Sequence, residues 1–121
     1  MKRCLIVDDS GVVRRVARQI LEELGFDCHE ATNGQEALDH CKNTMPEAVL
    51  LDWNMPIMNG LEFLKALRAL PNGNDPIVVF CTTENEMDAI TKALSAGANE
   101  YIMKPFDADI IQAKFEQTGL L

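Results

Sequence analysis

The sequence predicts a doubly wound α/β domain, a five-stranded parallel sheet with helices on both faces. Three observations predict it. Short apolar runs alternate with helix-period segments five times along the chain. The runs Leu5-Ile6-Val7 and Ile77-Val78-Val79-Phe80 are apolar without alternation, as strands buried on both faces of a parallel sheet are. No repeat, linker or low-complexity stretch interrupts the 121 residues, a length that suits one domain with its own core.

The elements follow in order. Residues 4–7 form the first strand, which runs into Asp8 and Asp9. Val13, Val16, Ala17, Ile20, Leu21 and Leu24 then recur at helical spacing and predict one buried helix face, closed by Gly25. Residues 27–31 make a more polar strand, suited to a sheet edge. Asn33 is expected to cap the second helix, with Glu36 three residues on as its capping-box partner. Residues 48–51 form the third strand, ending at Asp52. Asn59 and Glu62 repeat the capping pattern ahead of Phe63, Leu64, Leu67 and Leu70. The fourth strand, 77–81, ends at Thr82, and Thr83 with Glu86 is a third capping pair before Met87, Ile90 and Leu94. Gly97 closes that helix. Residues 101–103 form the fifth strand, ending at Lys104-Pro105, and a last helix fits 107 to about 118. Right-handed crossovers place the helices on both faces.

Composition excludes several function classes. Eleven Lys and Arg against 19 Asp and Glu give a net charge of −8, the wrong sign for binding a phosphate backbone. Arg14, Arg15 and Arg18 cluster on the first helix, where they are expected to form a solvated face. No apolar run nears the ~20 residues of a membrane helix. Acids interrupt the apolar start too early for a signal peptide, so a cytoplasmic monomer without nucleic-acid or membrane partners is expected. Cys4, Cys28, Cys41 and Cys81 form no C-x-x-C pair, and His29 and His40 stand alone. None of the six is assigned a role.

The chemistry gathers at strand ends. Strand one ends at Asp8 and Asp9, strand three at Asp52, strand four at Thr82 and strand five at Lys104. In a parallel sheet these ends share one edge, where ligands bind near the switch point of the topology. Three carboxylates there repel one another and raise at least one pKa unless a cation sits among them. An oxygen-only donor set suits Mg²⁺, whereas soft metals would want Cys or His, and neither ends a strand. Asp52, ionised at neutral pH, can attack phosphorus without a general base. Lys104 supplies a second cation and Thr82 a hydroxyl donor, and phosphoryl transfer is mostly positioning and electrostatics.

Each feature alone is common; their coincidence at four strand ends is not. The segments Val7-Asp8-Asp9-Ser10, Leu51-Asp52-Trp53-Asn54-Met55-Pro56, Met58-Asn59-Gly60, Cys81-Thr82-Thr83, Ala96-Gly97-Ala98 and Tyr101-Ile102-Met103-Lys104-Pro105-Phe106 carry a resemblance. So do the spacings of 30 residues from Asp52 to Thr82 and 22 from Thr82 to Lys104. Together the chain resembles the receiver domain of bacterial two-component response regulators, of the stand-alone CheY type.

The resemblance implies a flavodoxin-like sheet with strand order 2-1-3-4-5. It implies that Asp52 accepts phosphate from a histidine kinase or a histidine phosphotransfer protein. It implies Mg²⁺ on Asp9, Asp52 and the Asn54 backbone carbonyl, with Asp8 acting through water. Lys104 would pair with the phosphoryl group, and the Lys104-Pro105 bond would be cis. Thr82 and Tyr101 would form the switch, and the side chains of Asn54 and Glu84 would set the phosphate's lifetime. The stretch Glu84-Asn85-Glu86-Met87-Asp88 is acidic where the flagellar-motor type carries lysines.

Only 15 residues follow Phe106, so residues 1–121 are expected to be a single receiver domain without an output domain. It would signal to a downstream target protein through the surface around Tyr101, as a phosphoacceptor rather than an enzyme. The alternative is a phosphate sink or shuttle with no output partner. A haloacid-dehalogenase-like phosphatase needs an acid two residues after its nucleophile, and Asn54 stands there. A flavin carrier needs a phosphate-cradling loop after strand one, and Asp8-Asp9 would repel a bare phosphate.

Overall fold

A computed structural model of the chain describes residues 2–83 and 87–121. Their elements run β1 (Arg3–Val7), α1 (Gly11–Glu23), β2 (Asp27–Ala31), α2 (Gly34–Asn43) and β3 (Ala48–Asp52). Then follow α3 (Gly60–Ala69), β4 (Ile77–Thr82), α4 (Met87–Ser95), β5 (Glu100–Met103) and α5 (Ala108–Gln117). The strands form one sheet in the order β2-β1-β3-β4-β5, all neighbours parallel. This is the doubly wound, flavodoxin-like topology expected from the sequence. Several strands extend a residue past the apolar runs because the ladder continues: Arg3 pairs with Asp27, Asp52 with Cys81, and Thr82 with Met103.

Two apolar layers flank the sheet. On one face Leu5, Val7, Val49, Leu51, Val78 and Phe80 pack against α2, α3 and α4, with Phe63, Leu64 and Leu67 of α3 fully covered. On the other, Cys4, Ile6, Leu50 and Val79 pack against Ala17 and Leu21 of α1 and Ile111 and Phe115 of α5. The Phe26 and Phe115 rings meet edge to face, centroids 5.3 Å apart. No helix among the described residues is long and apolar enough to cross a membrane.

Two expectations of detail are corrected. The α1 stripe is not uniformly buried: Ala17 and Leu21 are covered, but Val16 is 44% exposed and its neighbour Val12 65%. A stripe that drifts around a helix is wider than the strip one sheet face can cover. Val12, Val13 and Val16 instead wall an open groove with Thr83, Lys104, Pro105 and Phe106. At α2, Asn33 accepts the Glu36 amide as a cap should, at 2.9 Å. The Glu36 carboxylate, however, takes the Thr32 amide and hydroxyl at 2.8 and 2.7 Å rather than closing a capping box. Thr32 offers two donors to one carboxylate oxygen, and this holds Glu36 below its ordinary pKa. The box does close at Asn59 and Glu62. The expected pair of Thr83 with Glu86 falls partly outside the described residues, as does Glu84.

Candidate functional site

The register brings the strand ends together. Val7 pairs with Leu51, and Asp52 with Cys81, so Asp8 leaves β1 beside the end of β3. Asp8, Asp9 and Asp52 each offer a carboxylate oxygen, and these lie within 4.8 Å of one another. Asp8 and Asp52 are buried, at 4% and 8% exposure, while Asp9 is exposed.

Lys104 crosses from β5 into this cluster. Its Nζ donates to Asp8 Oδ2 at 2.7 Å and to Asp52 Oδ1 at 2.9 Å. Asp52 Oδ1 accepts a second bond from the Trp53 amide at 2.9 Å, and Asp8 Oδ1 accepts the Ser10 amide at 2.9 Å. The Asp52 carboxyl is pushed above its ordinary range, chiefly by burial; Lys104 opposes this and the Asp8 charge adds to it. The sequence reading assigned such a rise to like-charge repulsion, and in the fold desolvation comes first. Burial would lower Lys104, yet its hydrogen bonds to both carboxylates outweigh that and hold it above its ordinary value. The Lys104–Pro105 peptide is cis, as the resemblance implies.

Loop geometry sets the rest. Gly60 opens α3 directly against the end of β3, its amide donating to the Trp53 carbonyl at 2.9 Å. A Cβ there would overlap the Asp52 carbonyl oxygen, so only glycine allows this approach. Trp53 is half-buried, its ring edge to face with Phe80 at 5.0 Å between centroids. Asn54 is exposed in the same loop. Thr82 is buried at the end of β4, and its hydroxyl donates to the Thr83 carbonyl at 3.1 Å. Tyr101 pairs with Phe80, two residues before Thr82 on the same face of the sheet. It is half-buried against the core on the α4 side.

Every described residue expected at the site therefore lies at the C-terminal edge of the sheet or, for Tyr101, two residues back along β5. The donors offered by Asp8, Asp9 and Asp52 are all oxygens at close range, which fits a hard divalent cation such as Mg²⁺. The cysteines take no part: all are buried, and burial pushes their thiols up, Cys28 and Cys41 to about 11. The His29 and His40 rings meet at a tilt, centroids 5.2 Å apart, and neither joins the acidic cluster.

Sequence reasoning missed the contacts that two charged residues make beside this site. Lys114 of α5 lies over the Tyr101 ring at 5.1 Å and pairs with Glu100 at 3.2 Å. Arg14, assigned to a solvated face, turns inward, and its Nη1 donates to the Asp8 carbonyl at 2.6 Å. Its Nε pairs with Glu30 at 2.9 Å, and Arg18 joins the same carboxylate at 2.8 Å. Helical spacing showed only that the arginines share a helix; that β2 would bring Glu30 alongside needed the fold.

Comparison with known proteins agrees with this geometry. The family model for the response regulator receiver domain matches residues 4–116. The chain is 41% identical over 116 residues to a chemotaxis protein CheY homolog of Campylobacter jejuni, covering 94% of this chain and 89% of that one. It superposes on the chemotaxis protein CheY4 of Vibrio cholerae with a TM-score of 0.91 at 28% identity, covering 97% and 98% of the two chains. The receiver domain of the Pseudomonas aeruginosa sensor histidine kinase PA1611, solved with a magnesium ion in its active-site cleft, superposes with a TM-score of 0.88 at 25% identity, covering 96% and 95%. Family match, identity and fold converge: this chain belongs to the response regulator receiver domains, phosphoacceptor signalling proteins of two-component systems.

Proposed function

We propose that residues 1–121 work as a single receiver unit that accepts a phosphoryl group on Asp52 from the phosphohistidine of a histidine kinase or histidine phosphotransfer protein. The observation that carries this is the buried Asp52 carboxylate, set within 4.8 Å of Asp8 and Asp9 oxygens and bridged to Asp8 by Lys104. Among the described residues, the Trp53 amide and Lys104 both bond Asp52 at Oδ1, which leaves Oδ2 to attack phosphorus. The new O–P bond forms as the P–N bond breaks, and the imidazole leaves with that electron pair. The product is an acyl phosphate on Asp52.

Asp9, Asp52 and the Asn54 carbonyl would hold Mg²⁺, with Asp8 reaching it through water. A bound Mg²⁺ supplies charge neutralisation and alignment of the phosphoryl oxygens. Lys104 neutralises a further oxygen once it leaves Asp52, and Thr82 donates its hydroxyl to the same group. Thr82 and Tyr101 then carry the state outward. Phosphorylation shifts an existing equilibrium by binding one arrangement of this pair better. A near-complete flip takes on the order of 5 kcal/mol of differential affinity. The Asn54 side chain, with Glu84, would tune the phosphate's lifetime.

The output surface is the face of α4, β5 and α5, where Leu94, Met103 and Ile110 stay 42, 41 and 39% exposed among acids such as Asp107 and Asp109. A downstream protein with an apolar anchor and basic rim would dock there, in chemotaxis-type or phosphorelay signalling. The chain would act in the cytoplasm as a monomer, without nucleic acid. The test is incubation with acetyl phosphate and Mg²⁺. One acid-stable, base-labile phosphate should appear per chain and be absent from Asp52→Asn. Equal labelling of that variant would overturn the assignment.

A further inference from the structure

Asp9 differs from its partners in the acidic cluster. Lys104 ties down the carboxylates of Asp8 and Asp52. Asp9 is exposed, and its carboxylate makes no hydrogen bond or ion pair among the described residues. Its aim into the cluster must come from the backbone.

The peptide that leads into Asp9 carries the Asp8 carbonyl, the oxygen that Arg14 Nη1 holds at 2.6 Å. Arg14 is itself anchored. Its Nε meets Glu30 at 2.9 Å, Glu30 takes Arg18 at 2.8 Å, and Arg18 meets Glu22 at 3.2 Å. The guanidinium folds back over the first turn of its own helix, 3.6 Å from where a Cβ on Gly11 would sit. Its side chain is only 17% exposed. On the preceding peptide, the Asp8 amide donates to the Ala31 carbonyl at 3.1 Å. The loop from β1 to α1 is thus gripped on both sides of Asp8, from β2 and from α1.

We propose that Arg14 is a positioning residue for the cation site: by fixing the Asp8–Asp9 peptide it aims the Asp9 carboxylate at the bound cation. This rests on the Mg²⁺ reading above. A planar fork is needed because one donor must reach a carbonyl while another meets a carboxylate in a different direction. Charge alone acts in the opposite sense, since a guanidinium beside a cation site repels the cation. Glu30 offsets that repulsion while anchoring the fork.

The opposing signs make the test decisive. Mg²⁺ is titrated into wild type, Arg14→Met and Arg14→Lys, with Trp53 fluorescence as readout. Positioning predicts that Arg14→Met binds Mg²⁺ about tenfold more weakly, as losses of outer-shell partners do. Arg14→Lys keeps the charge but loses the fork, and should fall between. The Asp9 and Ser10 amide resonances should move in metal-free Arg14→Met. Affinity equal to or tighter than wild type in Arg14→Met overturns the proposal. If that variant fails to fold, unchanged affinity in Arg14→Lys overturns it. A wild type that responds to no Mg²⁺ removes the metal reading itself, and this inference with it.

Discussion

Lys104 Nζ sits 2.9 Å from Asp52 Oδ1 while reaching Asp8 at 2.7 Å, so one ammonium serves two buried carboxylates. Without the lysine, two like charges would share a buried site. Lys104→Met should therefore destabilise the metal-free protein by about 1–3 kcal/mol. Mg²⁺ should recover part of the loss, because it binds the folded state alone. Urea denaturation with and without Mg²⁺ measures both effects. A metal-free variant as stable as wild type would show that the carboxylates do not depend on the bridge.

Gly60→Ala should harm both the fold and the site. Its Cβ would meet the Asp52 backbone and push α3 away from the end of β3. Overpacking of this kind costs about 1–3 kcal/mol. The melting temperature should fall and Trp53 emission should change, since the Gly60 amide is bonded to the Trp53 carbonyl. An unchanged melt would mean that the loop yields without strain.

Ile57 lies in the loop between β3 and α3 with φ at 71°, a left-handed conformation that β-branched residues rarely adopt. It is 80% exposed, so little packing is lost on replacing it. Ile57→Asn should stabilise the protein by about 0.5–1 kcal/mol, read as a higher urea midpoint at unchanged slope. A lower midpoint would show that the isoleucine side chain contributes more than the strain removes.

Glu30 should shape the acid limb of stability. The Arg18 hydrogen bond to its carboxylate, the largest effect, holds its pKa below the ordinary 4.5 against the opposing effect of burial, with Arg14 adding a smaller lowering. The folded state therefore binds this proton less readily than the unfolded chain does. The stabilisation is present above pH 4.5 and is lost as pH falls toward the lowered folded value. The gap in stability between wild type and Glu30→Gln, less than about 1 kcal/mol for so exposed a pair, should be flat from neutrality to about pH 5 and shrink below it. A gap that persists unchanged to pH 3 would show that the ion pairs do not set it.

How much was legible in the sequence varies with the range of the interaction. Strand identity and order of elements followed from local patterns: continuous apolar runs, helix-period stripes, and caps such as Asn59 with Glu62. The site was legible because parallel strands leave their C-terminal ends on one edge, so Asp8, Asp9, Asp52, Thr82 and Lys104 could be grouped without coordinates. What escaped was set by which surfaces met. Val16 matched the helical stripe, yet the sheet face beneath α1 was too narrow to cover it. Glu36 had the spacing of a capping box, but Thr32 offered it better donors. Arg14 read as a solvated charge until β2 brought Glu30 alongside and turned the guanidinium onto the Asp8 carbonyl. The fold class and the residues of the acidic edge were written in the chain, because periodicity and strand-end position are one-dimensional properties. That burial raises the Asp52 pKa, that Lys104 bridges Asp8 to Asp52, and that Arg14 grips the loop came from the folded arrangement. Those depend on desolvation and on distances of a few ångströms between residues far apart in the chain.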